Sequence, residues 1–454
     1  MLESFFDLLS IIDSFFWSYV AFILIMFLGC LLTIQARFFQ LRALPSIFKT
    51  FVQLMKTSTS DERGVHPLKA FFASVGGMIG IGNMVGIVTA IQIGGPGALV
   101  WVWVAALIGG VIKYSEIYLG LKNRVKNDRG GYDGGPMYFL RAAFNNTWVP
   151  FLIAIMLCIY GVEIYQFAVI SDSVATNFDL NRYGVIAAII CMVVYASVGG
   201  IPRVGKICSL VMPSFVVLYL VMGGWVLLQE ITLLPGILKD VFVAAFSGHA
   251  AVGGFAGSSV LLAIQHGIAR AAYSGDIGIG YDSIIQSESS TVYPERQARL
   301  AVLGICIDTI VCTVSILIVL LTGVWKVETP IESSQLIQTA LSNYFPYMHV
   351  FMPVFIFIAG YTTMIAYFCV GIKCARFVHP KYGKMAYIIY GVCSLVFFSF
   401  FDQTQALIIM SISGAILLSV NLVGIYMLRH QIRFEQEVEV PVDDVRERVC
   451  VVLD

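Results

Sequence analysis

Gly76-Gly77-Met78-Ile79-Gly80-Ile81-Gly82-Asn83 interrupts the centre of an apolar run that extends from Phe71 to Ile93. Helical propensity alone would not choose these residues for a membrane span. In hydrocarbon each unsatisfied N–H or C=O costs several kcal/mol, so a glycine-broken helix persists only where its freed groups are buried in protein or hold a ligand. Opened half-helices near the bilayer midplane are how secondary transporters hold substrate and coupling ion.

The bulk composition agrees that lipid is the solvent. The chain has 454 residues, of which 58% are hydrophobic and 12% charged, with a mean hydropathy of +0.85. These values lie outside the range of ordinary soluble domains and predict an all-α polytopic membrane protein. Ten cysteines are scattered without a CxxC pair, which points to packing rather than zinc or a disulfide framework. Met1 to Ser14 carries Glu3, Asp7 and Asp13 and has no basic region, so no cleavable signal is expected.

Runs of about 20 apolar residues give eleven expected helices, near 17–36, 71–93, 97–121, 149–177, 184–199, 206–229, 238–273, 299–324, 347–376, 385–401 and 405–428. The seventh is too long for one straight span and contains a second glycine-rich stretch, Gly253-Gly254-Phe255-Ala256-Gly257-Ser258-Ser259. Two half-helices are expected there. If 37–69 is cytoplasmic, the positive-inside rule places 25 of the 28 Lys and Arg on that side, leaving Arg182, Lys239 and Lys326. That count favours an odd number of spans with the N-terminus outside and the C-terminus inside. With the first helix set aside, the two interrupted segments become the first and sixth of ten, the spacing of two inverted five-helix repeats. The expected divisions are 1–70 (an extra helix and a cytoplasmic loop), 71–232, 233–429 and a cytoplasmic tail at 430–454.

The stretch Gly94-Gly95-Pro96-Gly97-Ala98-Leu99-Val100-Trp101-Val102-Trp103 resembles the signature of the alanine/glycine:cation symporters, with Val100 and Val102 as conservative departures. Further matches follow in family order: Gly134 to Tyr138, Gly199 to Lys206, Gly253 to Gly257, Ile307-Asp308-Thr309 and Thr362-Thr363. The resemblance implies the leucine-transporter fold with one extra N-terminal helix. It also implies symport of a small neutral amino acid with sodium, in a bacterial inner membrane, without other cofactors.

A zwitterionic amino acid needs donors for its carboxylate and acceptors for its ammonium, and an opened helix supplies both. Gly80, Ile81, Gly82 and Asn83 are candidates for the carboxylate and ion end. Gly253, Gly254, Phe255, Gly257 and Ser258 are expected to face them, and small-residue helix packing is the alternative for both stretches. Sodium favours several oxygen ligands. The resemblance implies Thr362 and Thr363 with the carbonyls of Gly76, Ile79 and Ala359, whereas the plain reading of each threonine is a bond to its own helix.

Acids inside spans are functional hypotheses by default, because insertion of one costs about 2.5–3.5 kcal/mol. Glu116, Glu163, Asp276, Asp282 and Asp308 stand out. Asp308 is either structural or ion-linked, and Glu116 has Lys113 at the i, i+3 spacing for a simple pair. The family's Asn-x-x-Gln pattern reads Glu163-Ile164-Tyr165-Gln166 here. Gln166 is placed to reach substrate, and Glu163 is open to four roles: accepting an ammonium, binding the cation, carrying a coupling proton, or packing in a salt bridge. Other departures are Ile81 for a threonine, and Ser274 to Gly280 with Asp282 in place of the family's Ser-Asn-Glu-Ala-Gly-x-Gly. A proton-coupled carrier using Glu163 and Asp282 is therefore the second reading.

An enzyme is disfavoured because HExxH and GxSxG are absent and the six histidines are dispersed. Nothing suggests a repeated pore loop, a nucleotide fingerprint or a nucleic-acid partner, and no oligomer is required.

Overall fold

The computed structural model describes residues 2–56, 63–247, 260–326, 333–401 and 403–434. The first helix is longer than its apolar core suggests: α1 (Leu2–Phe15), a π-helical stretch (Phe16–Ala21) and α2 (Phe22–Gln35) run on continuously. Two short helices follow, α3 (Phe39–Arg42) and α4 (Leu44–Lys56). Helix α4 turns Ile47, Thr50 and Leu54 inward and packs against α16 (Pro294–Thr322).

Helix α5 (Pro67–Met78) begins with proline at its first position, where no N–H is missed, and His66 Nδ1 accepts from the Leu68 N–H at 3.2 Å. It stops at Met78 and the chain becomes extended at Ile79 and Gly80. A single 3₁₀ turn, Ile81–Asn83, leads on to α6 (Thr89–Gly94). Then come α7 (Ala98–Lys122), a small antiparallel hairpin pairing Val125–Lys126 with Tyr132–Asp133, and α8 (Pro136–Phe144).

The expected span at 149–177 is present as one apolar stretch, Trp148–Asn177, interrupted inside into two helices, α9 (Trp148–Tyr160) and α10 (Ile164–Asn177). The break falls at Gly161 to Glu163, and Glu163 has a φ of 56°. The chains come close there: a Cβ on Gly161 would lie 2.8 Å from the Leu157 carbonyl oxygen and 2.9 Å from that of Tyr367. Helices α11 (Arg182–Val198), α12 (Gly200–Gln229) and α13 (Leu234–Ser247) complete the first part of the chain. The second glycine-rich stretch, Gly253 to Ser258, lies outside the described residues. The described parts of the long seventh segment are α13 before it and α14 (Val260–Ser274) after it.

After α14 the backbone turns through Asp276, Gly278 and Gly280, all at positive φ, into the short α15 (Tyr281–Gln286). The remaining helices are α16, α17 (Ser333–Ser342), α18 (Met348–Val378), α19 (Gly383–Phe398) and α20 (Gln403–Leu428). Helix α18 is the hub and packs against α5, α9, α10, α11, α12 and α19. Among the described residues, seven helices are long and apolar enough to cross a membrane, and α11 and α19 are shorter apolar helices. The chain is a mostly helical, multi-pass membrane protein.

Two polar clusters tie these elements together at one end of α5. Arg124 donates to the carbonyls of Ser287 (3.1 Å), Ser289 (2.6 Å) and Thr291 (2.6 Å). The backbone of Val65 is bonded on both sides of Ser289, accepting from the Ser290 N–H and donating to the Glu288 carbonyl, each at 2.8 Å. Replacing Arg124 with alanine leaves three carbonyls short of a donor, at about 1–3 kcal/mol for each that stays buried. The expected result is faster proteolytic cleavage near 287–291 with little change in the melting of the helical core.

Candidate substrate and cation site

The opening between α5 and α6 is held by side chains of four other segments. Asn83 closes it locally: its Oδ1 accepts the Gly80 N–H at 3.0 Å, and its Nδ2 donates to Asp308 Oδ1 on α16 at 2.5 Å. Ser274 Oγ, at the end of α14, donates to the same Asp308 oxygen at 3.1 Å. Gln166 on α10 accepts the Ile81 N–H through Oε1 at 3.4 Å. Thr363 Oγ1 on α18 donates to the Gly76 carbonyl at 3.3 Å and lies 3.1 Å from the Ala359 carbonyl. A Cβ on Gly80 would stand 2.5 Å from that hydroxyl and 3.2 Å from Gln166 Nε2. Gly76, Gly80, Gln166, Ala359 and Thr363 therefore meet at one place.

Other expected members are placed differently. Thr362 bonds to its own helix, at the carbonyls of Ile358 (3.1 Å) and Ala359 (2.9 Å), and reaches Met212 Sδ on α12 at 3.2 Å. Its hydroxyl turns to Met212 while sharing the Ala359 carbonyl with Thr363, and of the two threonines it is Thr363 that bonds the Gly76 carbonyl. Ile79 occupies the extended turn after α5, where its N–H bonds the Val75 carbonyl at 2.8 Å. The Gly82 carbonyl accepts from the Ile87 N–H at 2.7 Å, and a Cβ on Gly82 would meet, among the described residues, only the Ser274 Cα at 4.0 Å. Asn83 spends its amide on Gly80 and Asp308, which makes it a brace of the opening. Gly253, Gly254, Phe255, Gly257 and Ser258 lie outside the described residues.

The expected Lys113–Glu116 pair does not form. Lys113 turns to the α14–α15 turn instead, where Nζ donates to the carbonyls of Gly275 (3.0 Å) and Asp276 (2.6 Å) and forms an ion pair with Asp282. Asp282 also accepts from Ser74 Oγ of α5 at 2.6 Å. Fixed carbonyls and a carboxylate give the buried ammonium more than one helix-surface acid could. Sequence reasoning missed this because the lysine's partners lie some 160 residues away. The glycine-rich run Ser274 to Gly280 was the only signal of a folded-back turn that could present them.

Residues 2–437 match the sodium:alanine symporter family. The chain belongs to that family. Among its relatives is a transporter of uncharacterised function from Bacillus subtilis, YflA, 33% identical over 74% of this chain and 72% of its own. Another is the sodium/alanine symporter AgcS of Methanococcus maripaludis, 27% identical over 93% of this chain and 95% of its own. A likeness of fold alone reaches Mhp1, a nucleobase-cation-symport-1 family transporter solved closed with bromovinylhydantoin bound. It has a TM-score of 0.51 and 10% identity over 77% of this chain and 75% of that one. The family is one of symporters, so the chain is an amino-acid symporter of the membrane and not an enzyme.

Proposed function

We propose that this family member carries a small neutral amino acid, alanine or glycine and including D-alanine, into the cell with sodium by alternating access. The observation that supports it most is the meeting of Thr363 Oγ1 with the Gly76 and Ala359 carbonyls beside Gly80, where the helix is open. Hydroxyl and carbonyl oxygens are the donor set a hard monovalent cation prefers, and the N–H groups of Gly80 and Ile81, held here by the side chains of Asn83 and Gln166, are ones a carboxylate could take over. In this reading Gly76, Ile79, Ala359, Thr362 and Thr363 bind sodium, Asp308 is linked to them through Asn83, and Gly80, Ile81, Gly82, Asn83, Glu163 and Gln166 line the substrate. Gly253, Gly254, Phe255, Gly257 and Ser258 are assigned to substrate binding as well.

The same proposal includes eleven spans, as one extra N-terminal helix and two inverted five-helix repeats, in a bacterial inner membrane with the C-terminus cytoplasmic. Uptake of radiolabelled alanine and glycine into proteoliposomes tests it. Uptake that requires an inward sodium gradient supports the reading, and uptake indifferent to sodium overturns it. A proton-coupled carrier is the second reading, favoured by the buried carboxyl of Glu163.

Thr363→Ala should raise the sodium concentration for half-maximal uptake by about tenfold, the equivalent of about 1.4 kcal/mol. Thr362→Ala should do less, because that hydroxyl faces Met212. A sodium titration of uptake compares the two, and equal effects would remove Thr363 from its leading role.

A further inference from the structure

Helices α3 and α4 turn out of the line of the spans. Arg37 and Phe38, just after α2, both take the left-handed conformation, with φ of 51° and 56°, and the Phe38 N–H returns to the Thr33 carbonyl at 2.9 Å. The chain then crosses one span after another. The Phe39 ring meets Tyr114 of α7 at 4.8 Å, α4 packs against α16, and the Phe51 ring meets Phe71 and Phe72 of α5 at 5.8 and 6.3 Å. Phe71 and Phe72 lie in the second turn of α5, so the crossing is at the end of the spans and not at their middle.

This crossing segment has three faces. Ile47, Thr50 and Leu54 are buried on one. With about 100° between successive residues, Leu41, Leu44, Phe48 and Met55 fall on the next, within about 60° of one another, and are 50%, 37%, 62% and 57% exposed. Arg42, Lys49 and Lys56 recur at every seventh residue on the third, about 110° farther round, and all are exposed. Ala43 keeps right-handed angles between the two helices, which holds these faces in line. No Asp or Glu occurs from Arg37 to Lys56, and among the described residues no carboxylate pairs with Arg37, Arg42, Lys49 or Lys56.

We propose that α3 and α4 form a docking surface for anionic phospholipid that governs how readily α5 moves. Leu41, Leu44, Phe48 and Met55 enter the acyl boundary, and Arg42, Lys49 and Lys56 meet the headgroup phosphates. An apolar face beside a basic one, at the ends of membrane spans, matches the boundary between acyl chains and a layer of anions, which a soluble protein surface does not offer. Each Lys or Arg close to an anionic bilayer surface adds about a fivefold preference for it. The lipid acts on the symporter through what α4 touches: α16 along its buried face and, by Phe51, α5, the helix that leads into the opening.

The effect on uptake rests on the transport reading, whereas lipid binding is measured without it. Purified full-length protein is equilibrated with equal amounts of phosphatidylglycerol and phosphatidylcholine, and the lipid that stays with it is extracted and counted. Wild type should retain phosphatidylglycerol in about fivefold excess or more. The triple variant Arg42→Gln, Lys49→Gln, Lys56→Gln should lose most of that excess, whereas Arg141→Gln, Lys206→Gln, Lys381→Gln, exposed basic residues elsewhere, should keep it. Equal retention of the two lipids by wild type, or equal losses in the two triple variants, overturns the proposal. A nitroxide on Phe48→Cys in vesicles should be reached by oxygen more readily than by a water-soluble nickel chelate; the reverse order would leave this face to water or to a protein and overturns it too. In proteoliposomes, uptake should rise with the phosphatidylglycerol fraction in wild type and stay flat in the first triple variant. Both leaflets carry the lipid there, so the outcome does not depend on which side residues 37–56 face. Failure of wild type to take up any amino acid would sink the transport reading and leave the lipid count and the nitroxide to decide this one.

Discussion

Uptake by a Gly80→Ala variant should fall by about tenfold or more in protein that still inserts and folds. A methyl group there would sit 2.5 Å from Thr363 Oγ1 and 3.2 Å from Gln166 Nε2, well inside contact distance. The backbone angles at Gly80 are extended and open to any residue, so the penalty is one of space rather than conformation. Overpacking of this kind costs about 1–3 kcal/mol, and here it is spent by pushing aside the hydroxyl and amide that define the site. Gly184→Ala, on α11 away from the site, is the control. Its new methyl meets nothing within 4 Å among the described residues, so most uptake should remain. Uptake assays on both, normalised to the amount of folded protein, decide the matter, and equal retention would mean that the opening does not bind substrate at Gly80.

The second large effect is on stability. Lys113→Met should lower unfolding stability by about 3–5 kcal/mol, the range for breaking one side of a buried ion pair. It strands Asp282 together with the carbonyls of Gly275 and Asp276, which the ammonium otherwise satisfies. Changing Asp282 to asparagine in the same chain removes the stranded charge, so the double variant should be more stable than Lys113→Met alone. Thermal unfolding in detergent measures the cycle. Additive losses would show that the two residues act independently.

What could be read from the sequence followed from local chemistry. Glycines in an apolar run announced the opening at Gly76 to Asn83, and runs of suitable length located most spans. The break at Glu163 could not be read in the same way. A single glycine, Gly161, inside a long apolar segment looks tolerable, and the Tyr367 carbonyl and Tyr387 hydroxyl that crowd it lie two hundred residues on. For the same reason the partners of Lys113 were misjudged: the i, i+3 acid was visible, whereas the turn that supplies Asp282 and two carbonyls exists only after α14 and α15 have folded together. In the candidate site, residue types on one element were legible, and the brace from Asn83 to Asp308 and Ser274 was not. The helices α4, α8, α15 and α17 are short and flanked by polar residues, so a search for apolar runs passes over them.

The pairing of Val65 with the segment around Ser289 has a practical corollary. The Val65 and Ser290 N–H groups are each held at 2.8 Å by a carbonyl on the opposite strand, next to the start of the helix that leads into the opening. Any swing of α5 away from the 287–290 segment must release both amides at once. Their deuterium uptake therefore acts as a counter of opening events, one that reads the resting equilibrium of the unlabelled, unmutated protein residue by residue and needs no substrate to run.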